Sequence, residues 1–158
     1  MSDIKFMKSA LKLAKKAEEL NEVPVGAVIV KNGKIIARGY NRREIDCCST
    51  SHAEIIAIKK ACRKIGAWRL VGCDLYVTLE PCPMCCGAAI NSRIENIIFG
   101  AYDPKAGACG TVVNLCNTEK FNHHPHIIGG FMEKECSLQL TNFFRNLRKN
   151  SKNIKQQN

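Results

Sequence analysis

Four side chains that could form a reactive metal centre lie in two short segments of this 158-residue chain. His52 and Glu54 belong to the first segment, and Cys82 and Cys85 belong to the second. A zinc ion with one imidazole and two thiolates as its protein ligands keeps a fourth position open for water. The Glu54 carboxylate, two residues from His52, could take up and return a proton of that water. The pattern therefore predicts a catalytic zinc centre.

A closed, structural zinc site is the alternative, with Cys86, Cys47 or Cys48 as its fourth ligand. Cys86 directly follows Cys85, and on a regular helix its side chain would project about 100° away. Cys86 is therefore a poor fourth ligand, and the open site is favoured. The cysteines outside the motif are interpreted as small core or surface residues: Cys47, Cys48, Cys62, Cys73, Cys86, Cys109, Cys116 and Cys136.

The apolar pattern predicts the elements that position these side chains. Helices are expected over residues 2–21, 52–65, 82–91 and 133–149, and strands over residues 25–30, 34–40, 75–79 and 97–99. Asn32-Gly33 predicts a tight hairpin turn, and residues 102–125 are predicted to be irregular. We expect a single α/β domain over residues 1–150, a three-layer α/β/α fold with a mixed sheet of about five strands. Residues 151–158 are predicted to be a frayed, polar, basic tail.

Both halves of the motif follow a predicted strand and open a predicted helix. In open α/β sheets, ligands collect in the crevice outside the carboxyl ends of strands. Two helix N-termini would then face one spot, and their positive ends favour thiolates. The predicted elements thus bring His52 and Cys82 to the same edge of the sheet.

The charge balance favours an anionic partner. The chain has 24 Lys and Arg against 14 Asp and Glu, a formal net charge of +10. Nucleic acid is the commonest partner of such a surface, and a solvated lysine-rich surface is the alternative. From Ser137 onward five basic residues and no acidic one accompany Phe143 and Phe144. This composition suits RNA, although both rings could instead anchor the helix to the core.

No basic segment followed by an apolar run opens the chain, so no secretory signal is predicted. The longest apolar stretch, residues 25–30, is too short to span a bilayer. We therefore expect a cytoplasmic protein without membrane contact. In such a reducing setting, clustered cysteines point to metal or catalysis rather than to disulfides.

Taken together, these segments resemble the bacterial-type tRNA-specific adenosine deaminases, within the cytidine-deaminase-like fold. The zinc motif marks the wider superfamily of zinc base deaminases. The Asp-Pro-Lys-Ala-Gly segment at 103–107 and the Phe-Phe-Arg segment at 143–145 point to the tRNA branch. The other matching segments are residues 23–27, 39–42, 52–55, 77–85, 92–94, 99–101 and 122–123, so the resemblance covers almost the whole chain.

The resemblance implies a role for each of these residues. One zinc per subunit would be held by His52, Cys82 and Cys85, with Glu54 as the proton shuttle. Asn41 would hydrogen-bond the purine and Asp103 would line the nucleotide site. The remaining expected contacts are Ala53 and His123 to the substrate, and Phe144, Arg145, Arg148 and Lys149 to RNA.

The reaction implied is hydrolytic deamination of adenosine at the wobble position 34 of a tRNA anticodon, giving inosine and ammonia. The family acts as a homodimer, and the target base leaves its stack to reach the zinc. Two departures from the family pattern stand out. Residues 46–51 replace the usual Asp-Pro-Thr-Ala approach to the zinc histidine, and His124 replaces a common arginine.

Two other functions compete with this interpretation. A deaminase of a free base or nucleoside, such as guanine or cytosine, would use the same zinc chemistry, but a small substrate needs no basic C-terminal helix. A non-catalytic zinc protein or inactive regulatory subunit that binds RNA would not need Glu54.

Overall fold

A five-stranded sheet with helices on both faces forms the protein, as the computed structural model of residues 3–157 describes it. The predicted alternation of elements is confirmed. In chain order the elements are α1 (Ile4–Glu19), β1 (Gly26–Lys31), β2 (Lys34–Tyr40), α2 (Ala53–Ile65), β3 (Cys73–Leu79), α3 (Pro83–Asn91), β4 (Asn96–Ala101), a 3₁₀ turn (Leu115–Asn117), β5 (His126–Ile128) and α4 (Glu133–Gln156).

The strand order is β2-β1-β3-β4-β5. β1 is antiparallel to both of its neighbours, whereas β3, β4 and β5 are mutually parallel. The hairpin between β1 and β2 turns at Asn32 and Gly33, whose φ angles are 50° and 70°. Two successive positive φ values are typical of the predicted tight turn. β2 and β3 run in the same direction, with β1 between them.

Two hydrophobic clusters give the protein its three layers. On one face, α2 and α3 pack on the sheet through small side chains such as Ala57, Ala61 and Ala89. On the other face, α1 and α4 contribute Phe6, Met7 and Cys136. The expected three-layer α/β/α arrangement is therefore confirmed.

Close backbone contact fixes α2 against β2. A Cβ atom on Gly39 would collide with the carbonyl oxygen of Ala53 and lie 2.8 Å from the amide nitrogen of Ala57. Only glycine permits this approach at position 39. Because Ala53 lies between His52 and Glu54, the contact sets the position of the first turn of α2, where the predicted site begins.

Most boundaries differ from the predicted ones by one to three residues, and three differences have a clear physical reason. α3 begins at Pro83, with Cys82 as its N-cap, because proline fits the first helical turn, where its missing N–H costs little. β5 directly follows the segment predicted to be irregular, and it was not predicted because three residues carry too little periodicity to reveal a strand. α4 continues to Gln156, past its predicted end at residue 149, because no glycine or proline stops it there. Residue 2, expected to be helical, lies outside the described residues.

Among residues 3–157, none of the helices has both the length and the apolar character that crossing a membrane requires.

Candidate metal centre and active site

Two helix N-caps bring the metal-ligating side chains together. His52 caps α2 and Cys82 caps α3, both in extended backbone conformations. Neither side chain forms a capping hydrogen bond to its own helix. Both are therefore available to a ligand at the positive ends of the two helices.

The donor atoms match the spacing that zinc requires. Nδ1 of His52 lies 3.7 Å from Sγ of Cys82 and 3.5 Å from Sγ of Cys85. With Zn–S near 2.3 Å and Zn–N near 2.0–2.1 Å, tetrahedral angles place sulfur and nitrogen about 3.6 Å apart. The three side chains can thus hold one metal ion. The two helix starts bring together all three predicted ligands.

The two thiols differ sharply in acidity. Hydrogen bonds from Cys85 and His52 lower the pKa of the Cys82 thiol to about 4. The same interaction with Cys82, together with burial, raises the pKa of Cys85 far above its ordinary value. The pKa of His52 is raised, chiefly by its hydrogen bond to Cys82. Cys82 is therefore the thiolate that is ready to receive a cation, and Cys85 loses its proton when the ion binds.

Glu54 lies in the first turn of α2 and is only 4% exposed. Burial raises the pKa of its carboxyl group to about 7. A carboxyl with this pKa exchanges protons readily near neutral pH, which is what general acid–base catalysis requires. The alternative role, in which an exposed glutamate merely complements the N-terminus of a helix, does not fit this burial.

A cavity of about 230 Å³ opens beside these groups. Three of the predicted substrate contacts, Asn41, Ala53 and Asp103, line it. The other lining residues are Val23, Val25, Arg43, His52, Glu54, Leu79, Glu80, Cys82 and Ala106. The structure therefore brings most of the predicted site to one cavity at the carboxyl ends of β2 and β3.

Asn41 and Asp103 also hold the loops that carry them. The amide of Asn41 donates to the carbonyl oxygen of Val23 at 3.2 Å and accepts from the backbone N–H of Arg43 at 3.1 Å. Oδ1 of Asp103 accepts from the amides of Lys105 and Ala106, the turn-capping role that competes with a substrate contact. Each side chain retains hydrogen-bonding capacity toward the cavity.

His123, a predicted substrate contact, does not line this cavity, and its contact with substrate stays a prediction. Its Nε2 lies 2.6 Å from the carbonyl oxygen of Ile94. Ile94 precedes β4, so His123 is at the amino ends of the parallel strands, whereas the metal ligands are at the carboxyl ends. The motif around His123 indicates a loop, but it carries no information about which end of the sheet the loop covers.

A buried carboxylate that the sequence analysis did not single out anchors one wall of the site. Glu80 is 2% exposed, and its two oxygens accept from the backbone amides of Asp103, Cys109 and Thr111 at 3.0–3.1 Å. The Thr111 hydroxyl donates to it as well, at 2.5 Å. Its place between a strand and the zinc motif was the available signal. Glu80 thus fixes the loop that carries Asp103.

A second buried carboxylate, also missed from the sequence, holds the opposite wall. Glu22 is 1% exposed, and its Oε1 accepts from the backbone N–H of Ile45 at 2.7 Å. Ile45 belongs to the loop between β2 and α2, which carries Arg43 and leads to His52. The polar composition of this loop gives no sign of the buried acceptor that ties it to the end of α1.

A second cavity of about 660 Å³ adjoins the first along Val23, Leu79 and Asp103. Phe144 and Arg148, two of the four predicted RNA contacts, line it together with Tyr102 and Lys105, which the sequence analysis missed. Arg145 and Lys149 are exposed on the same helix but do not line this cavity. Phe144 is 40% exposed, so it is not a core anchor.

Comparison with known proteins agrees with this geometry. The family model for the zinc-binding region of cytidine and deoxycytidylate deaminases matches residues 1–101. A tRNA-specific adenosine deaminase of Bacillus subtilis (strain 168) is 55% identical over 147 residues, covering 93% of this chain and 91% of the relative. A solved structure of a tRNA:A34 deaminase, studied for A-to-I editing at the wobble position, superposes with a TM-score of 0.85 at 43% identity. It covers 87% of this chain and all of that one.

The chain belongs to the tRNA-specific adenosine deaminase family. It is therefore a zinc-dependent deaminase, as the resemblance implies. A guanine deaminase of Bacillus subtilis also matches, at 42% identity, but with a TM-score of 0.61 and only 65% of this chain covered. The agreement with the tRNA deaminase extends over more of the fold.

Replacing Glu80 by glutamine tests the loop anchor. Glu80→Gln keeps the shape but loses one of the two acceptor oxygens, which leaves a buried amide N–H without its partner. We expect a loss of about 1–3 kcal/mol in the free energy of unfolding, measured by urea titration. Deaminase kcat/KM should fall as well, because the Asp103 loop loses its support. Glu95→Gln, on an exposed carboxylate, is the control. Equal stability of the two variants would contradict the anchoring role.

Proposed function

We propose that the chain converts adenosine to inosine at the wobble position of a tRNA anticodon, by hydrolysis that releases ammonia. The observation that carries the proposal is the pairing of a metal-ligating triad with a buried carboxyl group, that of Glu54, beside one cavity. The relatives named as tRNA-specific adenosine deaminases support the substrate. We assign residues 1–150 to a single deaminase domain.

In this proposal His52, Cys82 and Cys85 hold the zinc. The chemistry that a bound zinc supplies is acidification of a water molecule, whose pKa falls to about 7. Glu54 accepts a proton from this water and delivers it to the ring nitrogen next to the amino-bearing carbon of the purine. The water oxygen bonds to that carbon, the second proton passes by way of the same carboxyl group to the amine, and the C–N bond then breaks, so that water and adenosine give inosine and ammonia.

Asn41 and Asp103 orient the base. Asn41 retains one N–H and one acceptor lone pair, enough to pair with a purine edge. Asp103 lines the same cavity and keeps its second oxygen free of the turn-capping bonds, and the small side chain of Ala53 leaves room for a flat ring. Because Glu22 and Glu80 hold these loops, the polar groups are positioned before the substrate arrives, which lowers the barrier to reaction.

The second cavity favours a polynucleotide over a free base. A single flipped adenine needs only the smaller cavity beside the metal ligands, whereas the larger one extends from it toward α4. Its aromatic and basic lining, Tyr102, Lys105, Phe144 and Arg148, offers rings for stacking and cations for phosphate. A tRNA loop supplies unstacked neighbouring bases, and a free nucleoside does not.

We further propose a cytoplasmic homodimer. Val112, Val113 and Phe121 are 53%, 45% and 42% exposed in the segment between β4 and β5. Apolar side chains clustered on a surface mark an interaction site, and a second copy would bury them. Recovery of the protein with the soluble fraction of lysed cells, and not with membranes, checks the compartment.

Removing the proposed proton shuttle should abolish the reaction without removing the metal. For Glu54→Ala we expect conversion of A34 in an anticodon stem-loop to fall by about 10²–10⁴-fold. The readout is A-to-G change by sequencing, and zinc content by mass spectrometry should match the wild type. Glu44→Ala, on the exposed loop, is the control. Unchanged conversion of A34 by the Glu54→Ala variant would contradict the proposed mechanism and favour the non-catalytic alternative.

The RNA-binding role of α4 predicts a loss confined to the polynucleotide. Stacking on one aromatic side chain contributes about 1–3 kcal/mol, so Phe144→Ala should lower kcat/KM on the stem-loop roughly 5- to 150-fold. Arg148→Ala should weaken binding and reduce its salt dependence. Ile154→Ala and Lys155→Ala, on the same helix outside the cavity, are matched controls. Equal effects at both ends of α4 would argue against this binding surface.

The dimer interface can be tested with a pair of exposed aliphatic residues. Light scattering after gel filtration should give about twice the 17.6-kDa mass of the chain. Val112→Asp places a charge in the proposed interface and should shift the protein toward the monomer. Ile4→Asp, at an equally exposed residue of α1 on the other face of the sheet, should leave the dimer intact. A wild-type monomer at micromolar concentration would rule the homodimer out.

A further inference from the structure

Three cysteines that the catalytic centre does not use come together in the core. Sγ of Cys86 lies 3.4 Å from Sγ of Cys116 and 3.8 Å from Sγ of Cys109, and all three sulfurs are within 4.8 Å of one another. Their side chains are 0–6% exposed. They come from three separate parts of the chain: the middle of α3, the loop after β4 and the 3₁₀ turn.

We propose that Cys86, Cys109 and Cys116 form a second metal site, which binds a thiophilic cation, zinc or copper(I), through three thiolates. This site is distinct from the catalytic zinc centre. Soft thiolate ligands select these two ions over magnesium, calcium or manganese.

The sulfur spacing fits a metal better than it fits a disulfide. Tetrahedral zinc with Zn–S near 2.3 Å holds its sulfurs about 3.8 Å apart, close to the observed separations. A disulfide requires about 2.05 Å and joins only two sulfurs, which would leave the third thiol without a role. Three mutually adjacent donors, each from a different segment, form the ligand set of one ion.

Cys85 and Cys86 are consecutive on α3, yet each can contribute to a different metal site. Cys85 faces His52 and Cys82, whereas Cys86 projects about 100° away around the helix, toward the loop after β4. The angle that makes Cys86 a poor ligand for the catalytic zinc directs it into the second cluster. The two sites therefore lie on adjacent faces of one helix.

His124 adjoins the cluster, although its ring lies outside the group of mutually close donors. Its Nδ1 lies 3.0 Å from the carbonyl oxygen of Cys116. A carbonyl can only accept, so Nδ1 carries the proton and Nε2 keeps its lone pair, which is the tautomer of metal-ligating histidines. His124 is exposed and adjoins the cluster through Cys116, so in this proposal either its Nε2 or a water molecule fills the fourth position.

A metal at this position would clamp the active-site wall. The backbone amide of Cys109 donates to Glu80 at 3.1 Å, and the same loop carries Asp103 at its start. Joining Cys109 and Cys116 to α3 through one ion would hold this loop against the helix that bears Cys85. The proposed role is therefore structural, in support of the catalytic centre.

Metal counting tests the proposal. Protein purified under reducing conditions, stripped of metal and reconstituted separately with zinc or copper(I), is assayed by mass spectrometry for metal bound per chain. We expect two equivalents in total for the wild type with one of the two ions, and one for His52→Ala, which loses only the catalytic ligand set. One equivalent in the wild type with each ion, or none in His52→Ala with either, would overturn the second site.

Cysteine variants locate the extra ion. Cys116→Ala should lose one equivalent, whereas Cys136→Ala, at a buried cysteine outside both clusters, should lose none. X-ray absorption at the metal bound to His52→Ala should show a sulfur-dominated ligand shell. This measurement does not depend on whether a cysteine variant folds. His124→Ala distinguishes a histidine from water in the fourth position. A nitrogen- and oxygen-dominated shell, or a Cys86–Cys116 disulfide in reduced, metal-loaded protein, would also overturn the proposal.

Discussion

The meeting of two helix starts at one edge of the sheet is the constraint on which the rest of the protein depends. β2 and β3 run in the same direction with β1 between them, so their carboxyl ends lie two strand spacings apart, about 10 Å. The helices that follow them begin at His52 and Cys82. Because β1 runs the opposite way, its start comes to the same edge, and Val25 fills the space between the two helices as part of the cavity lining. The antiparallel strand thus creates the gap that a flat ring can occupy.

Buried acids make this edge rigid although its walls are loops. Glu22 and Glu80 are both nearly inaccessible, and backbone amides of the two wall loops donate to them. Burying an unpaired carboxylate would be costly, and several charge-assisted hydrogen bonds offset that cost. The close approach of Gly107, where a Cβ would collide with the Glu80 carboxylate, packs the loop directly on its anchor. The site residues therefore lie on loops, yet these loops are held in place by buried hydrogen bonds as core segments are.

Much of the fold follows from the sequence because its signals are local. The helical period of α1, the Asn-Gly turn and the motif at each helix start are all contained in windows of a few residues. The ligand triad was predictable for the same reason, since each half carries its own spacing. The placement of His123 depends on which end of the sheet a loop covers, and the anchoring by Glu80 depends on amides more than twenty residues away. Such long-range contacts leave no local pattern, and neither does a three-residue strand such as β5.

The cysteines show the same limit most clearly. Residue type and spacing assign Cys82 and Cys85 to the catalytic metal and argue against Cys86 there, but they do not connect Cys86 with Cys109 and Cys116. These three share no motif; only the folding of the β4–β5 segment back over α3 brings their sulfurs together. The position of Cys86 also affects the geometry of the catalytic centre. α3 is only nine residues long and carries Cys85 on one face and Cys86 on the next. Whatever fixes Cys86 also fixes the rotation of α3 about its axis, and therefore the direction in which Cys85 meets His52. A short helix packed through small side chains gains that orientation from its contacts with neighbouring segments more than from its own hydrogen bonds.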